Sequence, residues 1–190
     1  MTRHKSLFAL ALLLSPTLAF AHSGHDHAGL LAGLSHPLLG LDHLLAMVAV
    51  GLWAAQQSGA ARWTLPLTFV ASMLVGGVLG LGGAGMPLLE GAIAASVLAF
   101  GLLVAVAARL PMAASLGLTG LFALSHGLAH GLELPAQANP WAYASGFLIA
   151  TAGLHAAGYA LVRSLPHSVA PLVRLAGIIA AAAGVCLLAS

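Results

Sequence analysis

The sequence predicts an all-α fold: a polytopic membrane bundle of six transmembrane helices that follows a cleaved signal peptide. Three observations predict it. Hydrophobic residues fill 61% of the 190 positions and charged residues only 5%, whereas soluble domains are about one quarter charged and need that charge for a hydrated surface. The apolar residues fall into runs close to the roughly 20 residues that a membrane helix requires. The first run is short, follows a basic start and ends in a small-residue cleavage pattern.

That leader spans residues 1–21. Arg3, His4 and Lys5 supply the positive start, Leu7 to Phe20 the apolar run, and Ala19-Phe20-Ala21 the A-x-A pattern. Pro16 interrupts the run, which is short for a span. Cleavage after Ala21 makes His22 the mature N-terminus, on the outer side of the membrane. Residues 22–35 then form a His-rich periplasmic arm, and residues 36–190 the six-helix domain. The arm begins His22-Ser23-Gly24-His25-Asp26-His27. A free amine, the imidazoles of His22, His25 and His27 and one carboxylate suit a flexible metal-gathering segment.

The spans are expected at 37–55, 64–81, 88–108, 112–131, 141–161 and 170–188, with Gly, Pro, Gln and Ser in the connectors. With the mature N-terminus outside, the loops after the first, third and fifth spans are cytoplasmic. Arg62, Arg109, Arg163 and Arg174 lie in or beside those loops, and the outer loops hold no basic residue. The positive-inside rule is therefore satisfied. Trp63 and Trp141 sit near span ends, as interfacial aromatics do. The 23 glycines suit close helix packing.

Composition also excludes. A formal net charge of +2 gives no nucleic-acid footprint. Cys186 is the single cysteine, so there is neither an intrachain disulfide nor a thiolate metal cage. No phosphate-binding loop motif occurs, so ATP drive would need another subunit.

Ionisable residues inside a membrane are costly and mark function by default. Here they cluster. His36, Asp42 and His43 open the first span. His36 and His43 are seven apart and share a face on a regular helix; Pro37 and Gly40 offer a distortion that brings Asp42 round to them. His126, His130 and Glu133 close the fourth span, on one stripe by their spacings of four and three. Both clusters fall at the outer half of the membrane, and Glu90, at the outer start of the third span, is placed to join them. Imidazole and carboxylate without thiolate suit nickel, cobalt, zinc or iron(II) and disfavour copper(I). His155, deeper in the fifth span, reads equally as an exit-path ligand, a proton acceptor or a packing residue. Met47, Met73 and Met86 read first as core filling.

The stretch 34–54, H-P-L-x-G-x-D-H-L-L-A-M-x-x-V-G-x-W-A, and the stretch 125–135, S-H-G-x-A-H-G-x-E-x-P, strongly resemble the HupE/UreJ family. With the leader, the His-rich start and the six spans, the resemblance covers the whole chain. It implies a secondary permease for divalent nickel or cobalt in the cytoplasmic membrane, serving hydrogenase or urease maturation. It implies no enzyme activity and no tightly bound cofactor, the metal being cargo. The motif residues carry over to His36, Asp42, His43, His130 and Glu133, with His126 beside them. The expected partners are the ion and the lipid, and self-association into a homo-oligomer stays open. Two other readings stay open on the residues alone: a metal-dependent intramembrane hydrolase with zinc-activated water, and a membrane metal sensor or chaperone that binds without transport.

Overall fold

A computed structural model describes residues 25–190. The leader and His22 lie outside the described residues. The chain is all-α: α1 (His25–Leu39), α2 (Leu41–Gln56), α3 (Ala61–Leu81), α4 (Leu89–Ala105), α5 (Met112–Leu132), α6 (Pro140–Ser164) and α7 (Ala170–Leu188), with one 3-10 turn (His167–Val169) before α7.

The arm expected at 22–35 is helical from His25 onward, because α1 continues through it. The side chains of His25 and His27 lie outside the description. The first span is also not one helix. Gly40 takes an extended conformation, and the segments 29–39 and 41–56 meet at 80°. His36 and His43 therefore do not share a helix face; the bend brings them together instead. Two local features explain it. Pro37 cannot donate a backbone hydrogen bond inside α1. At Gly40 a Cβ would press on Asp42 Oδ1 at 3.0 Å and His43 Nδ1 at 3.2 Å, so a side chain there would displace both.

Four helices, α3, α5, α6 and α7, are long and apolar enough to cross a membrane, and the bent α1–α2 pair counts as a fifth candidate. The third expected span, 88–108, is shorter than its hydropathy suggests: α4 has 17 residues. Ala107 takes a positive φ of 49° just beyond it, which ends the helix.

Glycines set the pairings. Gly76 and Gly80 of α3 abut the backbone of Leu124 and Leu128 of α5, so these two helices run parallel. The α1–α2 pair runs parallel to α6, with Gly29 beside Asn139, Gly33 beside Tyr143 and Gly51 beside His155. Helices α4 and α7 are antiparallel, with Gly184 at Leu98 and Gly177 at Ala105. These directions are those of a chain that crosses back and forth. Small residues are needed because lipid supplies little hydrophobic drive for helix association, leaving van der Waals contact between close backbones.

The surface is inverted relative to a soluble protein. Leu67, Val75, Leu121, Ile149, Leu172 and Ile179 are all exposed, while the interior holds His43, His126, His130 and His155 among Trp53, Phe69, Met73 and Phe100. Charge is segregated between the two ends. Arg109, Arg163 and Arg174 line one cavity with Gln56 and Gln57. Asp42 and Glu90 line another with the C-terminal Ser190. The basic end is sealed by side-chain bonds to the α4–α5 connection: Trp53 Nε1 and Gln57 Nε2 each donate to the Ala108 carbonyl at 2.9 Å.

Candidate metal centre

The bend at Gly40 and the last turns of α5 meet beside α6. The His36 ring lies 4.8 Å from that of His130 and 5.8 Å from that of His43; His43 lies 4.7 Å from both His130 and His126. One ring nitrogen from each of His36, His43 and His130 falls within 4.8 Å of the others. Three nitrogens at about 2.1 Å from one ion stand roughly 3–4 Å apart. An inward shift of about an ångström would therefore let all three bind one ion. His130 stacks on Phe147, with centroids 4.6 Å apart and planes at 5°. Phe147 is seven residues into α6, so the centre lies about 10 Å along that helix at 1.5 Å per residue.

Hydrogen bonds fix the free nitrogen of three of the four rings, His43, His36 and His126. At His43, Nδ1 lies 2.9 Å from Asp42 Oδ1, and the same carboxylate oxygen accepts the His43 backbone N–H at 2.7 Å. A carboxylate only accepts, so Nδ1 carries the proton and Nε2 keeps its lone pair. At His36, Nε2 lies 2.8 Å from Glu133 Oε2, which leaves Nδ1 free. At His126 the argument takes one more step. The Ser96 hydroxyl gives its one proton to the Ile93 carbonyl at 2.6 Å. Its oxygen must then accept from His126 Nε2, 2.8 Å away, leaving Nδ1 as acceptor. This arrangement, one N–H tied to an outer partner and one lone pair held open, is the one that metal-ligating histidines show.

Among the described residues, most of the nitrogens facing the centre lack any partner. His43 Nε2, His126 Nδ1 and both nitrogens of His130 are buried without a partner. Each buried unsatisfied polar group costs about 1–3 kcal/mol, a large toll against the 5–15 kcal/mol that holds a typical domain together. A cation would satisfy several at once. Glu133 caps the C-terminal end of α5, and the hydrogen bond from His36 holds its carboxyl below the usual range. It is therefore ionised at neutral pH, as a carboxylate opposite a divalent charge should be.

The expected residues divide accordingly. His36, His43 and His130 form the central set, with His126 against His43, Asp42 on His43 and Glu133 on His36. Glu90 shares a cavity with Asp42 but, among the described residues, makes no side-chain hydrogen bond to the rings. His155 is separate: Phe69 stands between it and the cluster, 4.9 Å from His155 and 5.6 Å from His126. Sequence reasoning missed Ser96, Phe147 and Tyr143. Tyr143 is buried with an unpartnered hydroxyl, and its ring lies 6.1 Å from His36. Ser96 had a signal, as a polar residue amid the apolar run of α4. The aromatic residues had none, since membrane cores are full of them.

The sequence model of the HupE / UreJ protein family matches residues 10–187. "Protein HupE" of Rhizobium leguminosarum bv. viciae is 48% identical over 181 residues, covering 94% of each chain. No solved structure matches. The chain therefore belongs to the HupE/UreJ family. Its members are multi-pass membrane proteins of transporter type, associated with nickel and cobalt for hydrogenase and urease, and are not enzymes. The hydrolase reading falls with that membership.

Proposed function

We propose that this chain is a secondary permease that carries Ni²⁺ or Co²⁺ inward across the cytoplasmic membrane. The observation that carries the reading is the convergence of His36, His43 and His130 nitrogens within 4.8 Å, next to two carboxylates. Asp42 and Glu133 together offset the two positive charges of the ion, so the loaded centre is close to neutral and tolerable in a low-dielectric interior. The imidazoles replace part of the water shell, and none is a thiolate that would hold the ion too firmly to release.

In this reading the leader 1–21 is removed, and His22, His25 and His27 gather ions at the periplasmic face. Glu90 lies at the mouth with Asp42, and α4 completes six spans, at about 25 Å slightly short of the roughly 30 Å hydrocarbon layer. The arginine-lined end faces the cytoplasm. The membrane potential supplies about 2.3 kcal/mol per charge per 100 mV, doubled for a divalent ion.

Uptake of radiolabelled nickel into proteoliposomes under an imposed potential tests this, with cobalt and zinc as competitors and His43→Ala as control. Uptake that His43→Ala abolishes supports the permease. Metal bound but never moved would overturn it in favour of a membrane sensor or chaperone.

A further inference from the structure

Below the His36–His43–His130 centre lies a second group of donors that no part of the proposed outer site uses. His155 is 2% exposed and Met47, Met73 and Thr151 are fully buried. The Thr151 hydroxyl lies 3.2 Å from Met47 Sδ and 3.7 Å from Met73 Sδ. It thus draws two thioethers, from α2 and α3, to one point on α6. His155 follows Thr151 by one helical turn on the same face. Its Nδ1 lies 2.7 Å from the Met47 carbonyl. A carbonyl only accepts, so Nδ1 carries the proton and Nε2 is an acceptor. That nitrogen is buried and has no partner.

We infer that Met47, Met73 and His155, with Thr151, form a second, inner cation site, which takes a borderline or soft metal ion on its way from the outer centre. The inference rests on the permease reading and deepens it. The ring is set as a metal-ligating histidine is set, with its N–H tied to a backbone carbonyl and its lone pair open. Two thioethers drawn beside the turn that carries it add soft donors, which favour late transition metals over magnesium or calcium. Among the described residues the open nitrogen has no hydrogen-bond partner, so it costs stability unless a cation visits it.

The donor set also explains passage. The outer centre has two carboxylates beside it, whereas the inner group, among the described residues, has none. A divalent ion there is bound without charge compensation and is held weakly. Conduction needs sites that bind well enough to enter and weakly enough to leave. Phe69 lies between the two sites, against His126 on one side and His155 on the other. Its ring must turn aside for an ion to pass.

Cobalt(II) on the detergent-purified full chain tests the inner site directly. The expected result at saturating cobalt is a second bound ion with sulfur in its shell, seen by X-ray absorption and as a sulfur-to-cobalt charge-transfer band. In the Met47→Leu/Met73→Leu chain, nearly isosteric in volume, the sulfur signal disappears while the first cobalt binds as before. No sulfur around cobalt at saturation overturns the inference, whatever the transport result. In proteoliposomes the same double variant is expected to lower uptake at least tenfold. Unchanged uptake also overturns it. Uptake absent from the parent chain itself would instead strike the permease reading, and the sulfur signal would still decide the inner site.

Discussion

His36 Nε2 lies 2.8 Å from Glu133 Oε2, and this contact ties the last turn of α1 to the cap of α5. It joins the two sequence motifs, 97 positions apart by residue number (133 less 36). The contact aims the free nitrogen of His36 and brings a negative charge to the rim of the centre.

Glu133→Gln keeps a hydrogen-bonding side chain and removes the charge. Outer-partner substitutions typically lower metal affinity 10–100-fold, and nickel titration of the variant should fall in that range. Glu133 also makes a linked prediction about acid. Its carboxyl is held below its ordinary value of 4.5 in the fold, first by the His36 hydrogen bond. A depressed carboxyl contributes stability that is present above the unfolded value and lost as pH falls through the folded one. The difference in melting temperature between parent and variant should therefore be constant from pH 7 to about 5 and shrink below 4.5. A difference that grows on acidification would contradict the hydrogen bond from His36 as the cause of the lowered carboxyl.

His130 invites the opposite experiment. Both of its nitrogens are buried and unpartnered, so its presence costs the folded chain. His130→Leu, close in volume, removes two unsatisfied groups of about 1–3 kcal/mol each and gives up the stack on Phe147, worth about 0.5–1.5 kcal/mol. The expected variant is at least as stable as the parent in detergent and binds nickel at least a hundredfold more weakly. Equal binding would remove His130 from the centre.

How much of this was legible beforehand depends on what kind of physics wrote it. The helices followed from hydropathy, since 18–21 apolar residues in a row have little choice but helix in lipid. The polar clusters followed from rarity: a histidine in a membrane span stands out against its neighbours. The break at Gly40 was only half legible, because Pro37 and Gly40 signal distortion but not its angle. The helical course of residues 25–35 was not legible at all. His-rich composition says nothing of the glycines, Gly29 and Gly33, that seat α1 against Asn139 and Tyr143. The sequence set His155 apart by its depth in the fifth span, but depth along a helix does not reveal that Phe69 stands between it and the cluster.

Ser96 is one of the residues that sequence reasoning passed over, and it gives a clean prediction. Its hydroxyl accepts from His126 Nε2 while donating to Ile93. Ser96→Ala frees the His126 ring to rotate or change tautomer, with almost no change in volume. Nickel affinity should fall about tenfold, at the low end for such partners, with little change in melting temperature. Ser96→Cys, a weaker acceptor of similar size, should fall between the two. An unaltered affinity in Ser96→Ala would mean that His126 takes no part in holding the ion.

The last prediction concerns how the centre is held in place. Gly127 lies between His126 and His130, and a Cβ there would run into the Met73 carbonyl and stand 2.8 Å from the Gly77 backbone nitrogen. Backbone cannot yield as a flexible side chain does, so Gly127→Ala must push α3 and α5 apart. Overpacking of this kind costs about 1–3 kcal/mol, and it shifts His126 and His130 together relative to His43. Gly117 lies on the same helix, where an added Cβ meets nothing within 4 Å; alanine there also gains helix propensity of up to about 1 kcal/mol. Gly117→Ala should therefore be neutral or stabilising, and Gly127→Ala should lose both melting temperature and nickel affinity. Equal behaviour of the two would mean that the close α3–α5 contact does not position the histidines. Loss of affinity in Gly127→Ala at unchanged melting temperature would show that the spacing of the two helices acts on the centre itself.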